Sequence, residues 1–164
     1  MIIRTLEPHE VIFHRELRIR VLSDSPNSFG ETASEAEARP RSYWEELTRS
    51  VTEQNRHVMF VAFEGDTLVG TTYGLLDSER KDAGRVGGMW VEASQRRRGV
   101  GRALLAAVLV WARARGLKRV GLWAPASEPA AVALYYRAGF RGTGRQRPLP
   151  TNADLHIIEM GIEL

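Results

Sequence analysis

The sequence contains no cysteine among its 164 residues. This absence excludes a disulfide scaffold, a thiolate zinc site, a cysteine nucleophile and an acyl-cysteine intermediate. The longest apolar run, Ala103 to Ala112, has only half of the roughly 20 residues that a membrane-spanning helix needs. The N-terminus, Met1 to Glu7, has no charged segment followed by an apolar one, as a secretion signal would have. We therefore expect a cytoplasmic protein with no membrane partner.

A strong net charge is also missing, because 23 Lys and Arg residues against 20 Asp and Glu residues leave only +3. A nucleic-acid-binding domain gathers its basic residues on one face and interleaves them with aromatic residues. Here the basic residues are scattered, except for the run Arg96-Arg97-Arg98 with Arg102 close behind. The scatter argues against a nucleic-acid partner. The arginine run is either a solvated surface or a local anion site.

The chain has no internal repeat, low-complexity tract or long linker. Its 43% hydrophobic and 26% charged residues are typical of a globular protein. The length suits one compact domain, so we predict a single domain over residues 1–164. The histidines show no metal-ligand spacing; we expect no bound metal and interpret all four as surface or capping residues: His9, His14, His57 and His156.

Hydrophobic patterning in the first half predicts a strand, three helical segments and then an antiparallel meander of three strands. A helix ends near Leu22, a short acidic segment follows, and Ser42 with Glu45 has the spacing of a capping box for the third helix. In the last strand of the meander, Val86 is out of step with the apolar residues after it. This slip predicts a β-bulge at Gly87-Gly88. The predicted strands are Ile2 to Thr5, Val58 to Phe63, Thr67 to Leu76 and Arg85 to Glu92.

The second half contains the clearest helix, over Gly101 to Arg115, with an apolar face wide enough for burial against a sheet. The strand Val120 to Ala124 follows through a short link. A strand, a helix and a strand in this order form a right-handed crossover, so the two strands should be parallel. A further helix from Pro129 to Gly139 precedes two last strands, near Phe140 to Arg145 and Leu155 to Leu164. The predicted fold is α/β, with a mixed, mostly antiparallel sheet of about seven strands and helices on both faces.

The turn Arg96-x-x-Gly99-x-Gly101 lies between a strand and that buried helix. A helix N-terminus offers unpaired N–H groups and partial positive charge to a phosphate, and glycine lets the backbone approach closely. A nucleoside triphosphate loop needs Lys and then Ser or Thr where Arg102-Ala103 stands. A dinucleotide site needs a small residue in place of Leu104 and an acidic residue where Lys118-Arg119 stands. ATP and NAD therefore fit badly.

With Met89-Trp90-Val91 before it and Ala103-Leu104-Leu105 after it, this turn resembles the acetyl-CoA pyrophosphate signature of the GNAT superfamily of N-acetyltransferases. Downstream, Ala131-x-x-Leu134-Tyr135-x-x-x-Gly139-Phe140 resembles the second conserved block of that family. Asp24-Ser25-Pro26-x-x-Phe29-Gly30 and Glu159-Met160 resemble one group of bacterial, single-domain members. One position departs from the family pattern, because Glu128 stands where the block usually has asparagine.

The resemblance implies direct transfer of acetyl from acetyl-CoA to an amine, without a covalent enzyme intermediate. Tyr135 is then the candidate general acid; the alternative is a core tyrosine, whereas Tyr136 projects elsewhere. Among the arginines, Arg96 and Arg98 are favoured as ligands, while a solvated position is an equal alternative for Arg97 and Arg102. The implied cofactor-binding residues follow the pantetheine arm and then the pyrophosphate: Met89, Trp90, Val91, Arg96, Arg97, Arg98, Gly99, Val100, Gly101, Arg102 and Ala103.

Several alternatives stay open at this stage. Glu92 is either the general base or, as is more common, a solvated carboxylate at the end of a strand; a water relay to solvent would serve as well. The acidic residues Glu31, Glu35 and Glu37 either attract a cationic amine or form a polar helix surface. The acceptor is a small amine, an amino acid, an antibiotic or a protein amine. A non-catalytic acyl-CoA-binding or regulatory module on the same fold is the alternative function. The strand Leu155 to Leu164 has a pattern that would allow pairing between two copies in a homodimer.

Overall fold

The computed structural model describes residues 1–53 and 56–164. A short 3-10 turn, Ala93–Gln95, precedes the longest helix. Within the described residues the strands and α-helices follow in this order: β1 (Ile2–Thr5), α1 (Val11–Asp24), α2 (Ala33–Ala38), α3 (Arg41–Thr52), β2 (His57–Glu64), β3 (Thr67–Leu76), β4 (Ala83–Val91), α4 (Val100–Ala114), β5 (Arg119–Pro125), α5 (Pro129–Arg137), β6 (Arg141–Leu149) and β7 (Asn152–Glu163).

The seven strands form one mixed sheet in the order β1-β2-β3-β4-β5-β7-β6. Only the β4–β5 pair is parallel, and every other neighbouring pair is antiparallel. The predicted fold class is confirmed, including the parallel crossover through α4. Among the described helices, none is long and apolar enough to cross a membrane.

Alternation along β2 places helices on both faces of the sheet. Met59 and Val61 pack in a buried cluster with residues of α1 and α3, whereas Val58 and Ala62 lie on the opposite face with residues of α4. Successive side chains of a strand point to opposite faces, so one strand serves two apolar layers. The sheet is thereby covered on both sides in its N-terminal half.

The predicted β-bulge is present in β4. The register with β3 pairs Tyr73 with Gly87 but Thr71 with Trp90, so β4 carries one residue more than β3 in this stretch. Gly88 has a φ of +58°, and a Cβ at Gly88 would lie 2.5 Å from Cδ2 of Tyr73. Glycine is therefore required at this position for two reasons: the backbone is left-handed, and the tyrosine ring leaves no room for a side chain.

The predicted capping box of α3 is wrong. This helix begins at Arg41 after Pro40, which makes no side-chain cap, so Ser42 already lies inside the first turn and beyond the capping position. The capping box belongs to α2, where the Thr32 hydroxyl accepts from the Glu35 N–H and the Glu35 carboxylate accepts from the Thr32 N–H. Both sites have the same S/T-x-x-E spacing, and only the path of the chain distinguishes them.

His14 corrects the prediction that all histidines are surface or capping residues, because it is completely buried. Its Nδ1 lies 2.9 Å from Thr48 Oγ1 and its Nε2 lies 2.7 Å from the Tyr73 hydroxyl. Burial, with a smaller contribution from the charge of Arg18, lowers the pKa of His14 to about 4. The imidazole is therefore neutral and connects α1, α3 and β3.

This buried histidine predicts a loss of stability in acid. The unfolded chain binds a proton at His14 below about pH 6.5, whereas the folded protein does so only near pH 4, so stability falls as the pH drops between these values. We expect the free energy of unfolding to fall by about 2 kcal/mol more in the wild type than in His14→Gln between pH 7 and 4.5. Urea denaturation measures this difference. Exposed His156→Gln is the control, and an equal acid dependence in His14→Gln and wild type would contradict the assignment.

The last strand does not have the free edge that pairing between two copies requires. β7 lies between β5 and β6 and is paired on both sides; the terminal position belongs to β6. This strand is thus paired on both sides within one copy of the chain, and the homodimer stays a prediction. β6 carries Arg141, Arg145, Arg147 and Pro148, residue types that discourage pairing between sheet edges.

Candidate active site

The parallel strands β4 and β5 separate soon after they meet. Their pairing covers Ala83–Arg85 and Arg119–Gly121, and in the described chain no backbone pairing joins the two strands beyond these residues. On its other side β4 stays paired with β3 as far as Val91. The result is a wedge-shaped opening in the sheet, the β4–β5 cleft, lined by the edge of β4 over residues 86–91 that is not paired with β5.

The N-terminus of α4 lies at the end of this cleft and is uncapped. Gly99 occupies the capping position with a φ of 89°, no side chain caps the helix, and its first turn contains no acidic residue. A Cβ at Gly101 would lie 3.1 Å from Leu134 Cδ2, so glycine allows this turn to approach α5. Free N–H groups and the partial positive charge of a 15-residue helix make this end suitable for a phosphate group.

The arginines beside this helix end differ in their contacts. The Arg96 Nε donates to the Val91 carbonyl at 3.0 Å, and its guanidinium lies 3.5 Å from the Asp24 carboxylate. Arg98 donates to the Gln95 side chain at 3.0 Å. Arg97, with a φ of 61°, and Arg102 are exposed. Arg96 thus holds the turn in place, while the other guanidiniums lie at its surface.

The three residues predicted along the pantetheine arm point to different sides of the sheet. Met89 and Val91 pack on the α4 face beside Val100 and Leu104. Trp90 is buried on the other face. The indole of Trp90 therefore lies on the sheet face opposite α4, and Trp90 borders the cleft through its backbone.

Asp24, which stands in one of the quoted sequence motifs but has no role predicted for it, ties this region to α1. Its Oδ2 accepts from Trp90 Nε1 at 2.8 Å and from the Ser25 hydroxyl at 2.9 Å. The hydrogen bond from Trp90 is the largest of several contacts that lower the pKa of Asp24. Together with Glu128, Asp24 borders a pocket of about 310 Å³ at the open end of the cleft. No spacing rule would have found this contact, because 66 residues separate Asp24 from Trp90.

Tyr135 lies on α5 and is 5% exposed, whereas Tyr136 is 46% exposed. Its ring centroid lies 6.0 Å from that of Phe140, and Tyr135 belongs to the apolar cluster that also contains Leu122 and Ala124 of β5 and Met89 of β4, the two walls of the cleft. Burial raises the pKa of Tyr135 to about 12. In the described part of the chain its hydroxyl has no hydrogen-bond partner, so it is a free donor beside the cleft.

The acidic residues singled out in the sequence, Glu92 as a base and the other three as an attraction for a cationic amine, differ in their contacts. Glu92 pairs with Arg20 and accepts from the Ala93 N–H. Glu31 pairs with Arg18 at 3.0 Å and with Arg39 at 3.7 Å. Glu35 belongs to the α2 capping box, and Glu37 is exposed on the same helix. Across residues 1–53 and 56–164, no group of three or more His, Asp or Glu side chains is arranged to hold a metal ion.

Comparison with known proteins agrees with this geometry. The model of the acetyltransferase (GNAT) family matches residues 20–140, and the chain belongs to that family. No sequence among the curated proteins matches it. The fold is that of solved acetyltransferases, including one of the GNAT family from Streptococcus pneumoniae, with a TM-score of 0.83 at 19% identity and 99% of each chain covered.

Two further structures of this fold contain ligands. A putative acetyltransferase from Salmonella typhimurium with its cofactor acetyl-CoA has a TM-score of 0.79 at 16% identity, covering 100% of this chain and 94% of the other. A spermidine N-acetyltransferase from Vibrio cholerae in complex with CoA and spermine has a TM-score of 0.75 at 18% identity, covering 99% and 94%. At identities of 16% and 18%, these similarities show the fold alone.

Proposed function

We propose that residues 1–164 form one acetyltransferase domain that moves acetyl from acetyl-CoA directly to an amine, without a covalent enzyme intermediate. The observation that carries the proposal is the uncapped N-terminus of α4 at the end of the open β4–β5 cleft, in a chain of the acetyltransferase family. The lack of cysteine agrees with direct transfer.

The residues present suit acetyl-CoA. The backbone N–H groups of residues 98–103 would hold the pyrophosphate, with exposed Arg98 supplying charge. The unpaired edge of β4 from residue 86 to 91 would hydrogen-bond the amide groups of the pantetheine arm, as an added strand does. Arg96 is proposed to shape the turn through its bonds to Val91 and Asp24 rather than to bind the phosphates.

When bound, acetyl-CoA supplies the thioester whose carbonyl carbon the amine attacks. The N–H groups near the Gly88 bulge would hold the carbonyl oxygen as it gains negative charge. Tyr135 would act on the leaving sulfur. An ordinary thiol has a pKa near 8.5, so complete proton transfer from a hydroxyl with a pKa of about 12 is uphill by roughly 5 kcal/mol. Donating a hydrogen bond to the sulfur is therefore the role that suits Tyr135 best.

The amine must lose a proton before or during the attack. Since Glu92 is engaged with Arg20, we propose a water route to solvent for this proton rather than a dedicated base. The proposed acceptor is a small amine, an amino acid, an antibiotic or a protein amine. The Vibrio cholerae relative is a spermidine N-acetyltransferase, which supports an amine as the acceptor.

Calorimetry with coenzyme A and a thiol-release screen test the proposal. We expect heat of binding with coenzyme A, a weaker affinity in Arg98→Gln than in the control Arg113→Gln, and release of free thiol from acetyl-CoA with one class of amine. Arg113 is an exposed residue at the other end of α4. The absence of any heat with coenzyme A would overturn the proposal. Binding without thiol release in the presence of any amine would instead support a non-catalytic acyl-CoA-binding module.

A further inference from the structure

A groove of about 520 Å³ crosses β4, β5, β7 and β6 on the face opposite α4 and α5. Arg85, Arg119 and Glu159 line it, and each is the chain neighbour of a residue in the buried core on the α4 side. Because strand side chains alternate, these three lie on the uncovered face. On β4 and β5 the groove is lined by the paired residues Ala83–Arg85 and Arg119–Gly121, so on these two strands it stops where the cleft begins.

The groove is rich in guanidinium groups. Five arginines and four acidic residues line it, and the acids are shared among the cations. Arg85 lies 2.9 Å from Asp77, while Glu159 lies 3.9 Å from Arg85 and 3.5 Å from Arg145. The lining charges are Arg80, Arg85, Arg119, Arg141 and Arg145 with Asp77, Glu79, Glu159 and Glu163.

One N–H group of these guanidiniums has no hydrogen-bond acceptor in the residues that the structure describes. The Nε of Arg119 is buried and has no hydrogen-bond partner among the described residues. The nearest carboxylate oxygen, from Glu163, is 4.0 Å away, which is beyond hydrogen-bond distance. The Arg119 side chain as a whole is 42% exposed, so an anionic group in the groove would have access to its terminal N–H groups.

The cationic surface continues from the groove to the cleft. Trp123 lies two residues beyond the last β4–β5 pair and on the groove face, since its neighbours Leu122 and Ala124 face the core. The guanidinium carbons of Arg145 and Arg147 lie 5.8 and 4.2 Å from its ring centroid. A guanidinium stacked on an aromatic ring keeps its N–H groups available for a carboxylate. Among the described residues Arg147 has no acidic partner.

We infer that this arginine-lined groove holds the anionic end of the acceptor, which is an amine that carries a carboxylate, such as an amino acid or a short acidic peptide. The inference rests on the proposed acetyl transfer. The amine end lies at the cleft beside Trp123, and the carboxylate lies toward Arg145 and Arg119. The volume suits a small ligand.

Steady-state thiol-release kinetics test the specificity. Three kinds of acceptor are compared: free amino acids, glutamyl dipeptides and spermidine. Each acid is also measured against its own carboxamide. We expect kcat/KM for the best free acid to exceed that of its amide at least about tenfold, because ion pairs to carboxylates set the difference. Equal rates for acid and amide, or a preference for spermidine, would overturn this inference while leaving acetyl transfer itself intact.

The variant Arg145→Gln probes the groove directly. Its side chain is 70% exposed, so folding should be unaffected. We expect KM for the free acid to rise about tenfold, while kcat for the acid and both constants for the amide stay unchanged. Arg145→Lys should restore part of the loss. The control Arg113→Gln should behave as wild type. Equal losses for acid and amide would contradict the role.

Binding without turnover gives a second, independent readout. Glutamyl dipeptides titrated into the coenzyme A-loaded protein should produce heat that is reduced in Arg145→Gln, and the absence of heat in the wild type would overturn the inference. Sedimentation of the wild type and of Arg145→Gln tests whether a second copy of the chain occupies the groove instead. A dimer that dissociates in Arg145→Gln would place a second copy on the groove and would also overturn it.

Discussion

Replacing Gly88 with alanine is expected to lower the free energy of unfolding by about 3 kcal/mol, through left-handed backbone strain and overpacking. Gly88 has a φ of +58°, and the new Cβ would lie 2.5 and 2.8 Å from two ring carbons of Tyr73. The ring cannot move aside freely, because its hydroxyl is bonded to buried His14. The strand must therefore shift at the bulge.

The same shift should lower kcat about 100-fold, since a displacement near 1 Å at the reacting groups has effects of that size. Gly87→Ala is the matched control: its nearest foreign atom, Leu75 Cδ1, would lie 3.6 Å from the new Cβ, an ordinary contact. Urea denaturation and thiol release measure both variants. If Gly88→Ala matched Gly87→Ala in stability and turnover, the bulge would not require glycine at position 88.

Tyr135→Phe is expected to lower kcat about 100-fold, the usual size of a positioned proton or hydrogen-bond donor. The change removes only the hydroxyl, and the ring remains in the apolar cluster beside Phe140. Burial, which raises the pKa of Tyr135 to about 12, disfavours the charged phenolate. The donor form therefore persists below that pKa, and ionisation of Tyr135 should not reduce turnover between pH 6 and about 10.

The binding of acetyl-CoA should be nearly unchanged in Tyr135→Phe, which calorimetry with coenzyme A checks. The neighbouring change Tyr136→Phe removes the same atom from a side chain that is 46% exposed, and it should leave kcat within about twofold of wild type, as surface changes usually do. Wild-type turnover in Tyr135→Phe would assign Tyr135 to the core alone.

Much of the fold follows from short-range pattern. β3 occupies the predicted residues, Thr67–Leu76, because an apolar strand bounded by turn residues carries its own signal. α4, predicted over Gly101 to Arg115, spans Val100–Ala114, since its wide apolar face and following glycine mark both ends. The bulge at Gly88 was predictable for a similar reason, because a slip in a period of two is visible within a few residues.

Partners that are distant in the chain were not predictable from such patterns. His14 meets Thr48 and Tyr73 across 34 and 59 residues, and nothing in its neighbourhood distinguishes it from an exposed helical histidine. The guanidinium of Arg96 lies 3.5 Å from the Asp24 carboxylate, which the path of α1 brings to the turn; that Arg96 binds phosphate stays a prediction. These contacts depend on how whole elements pack.

The amino-acid sequence by itself determined the strands, the helices, the crossover through α4 and the glycine-bearing turn at its start. Each of these is set by the preferences and spacing of residues within one or two turns of chain. Only the tertiary structure decided which strand forms the edge, which face of the sheet stays uncovered, and which arginines have an acidic partner. Those outcomes depend on packing between elements far apart in the chain, where the cost of burying charge is balanced against the contacts that the fold makes available.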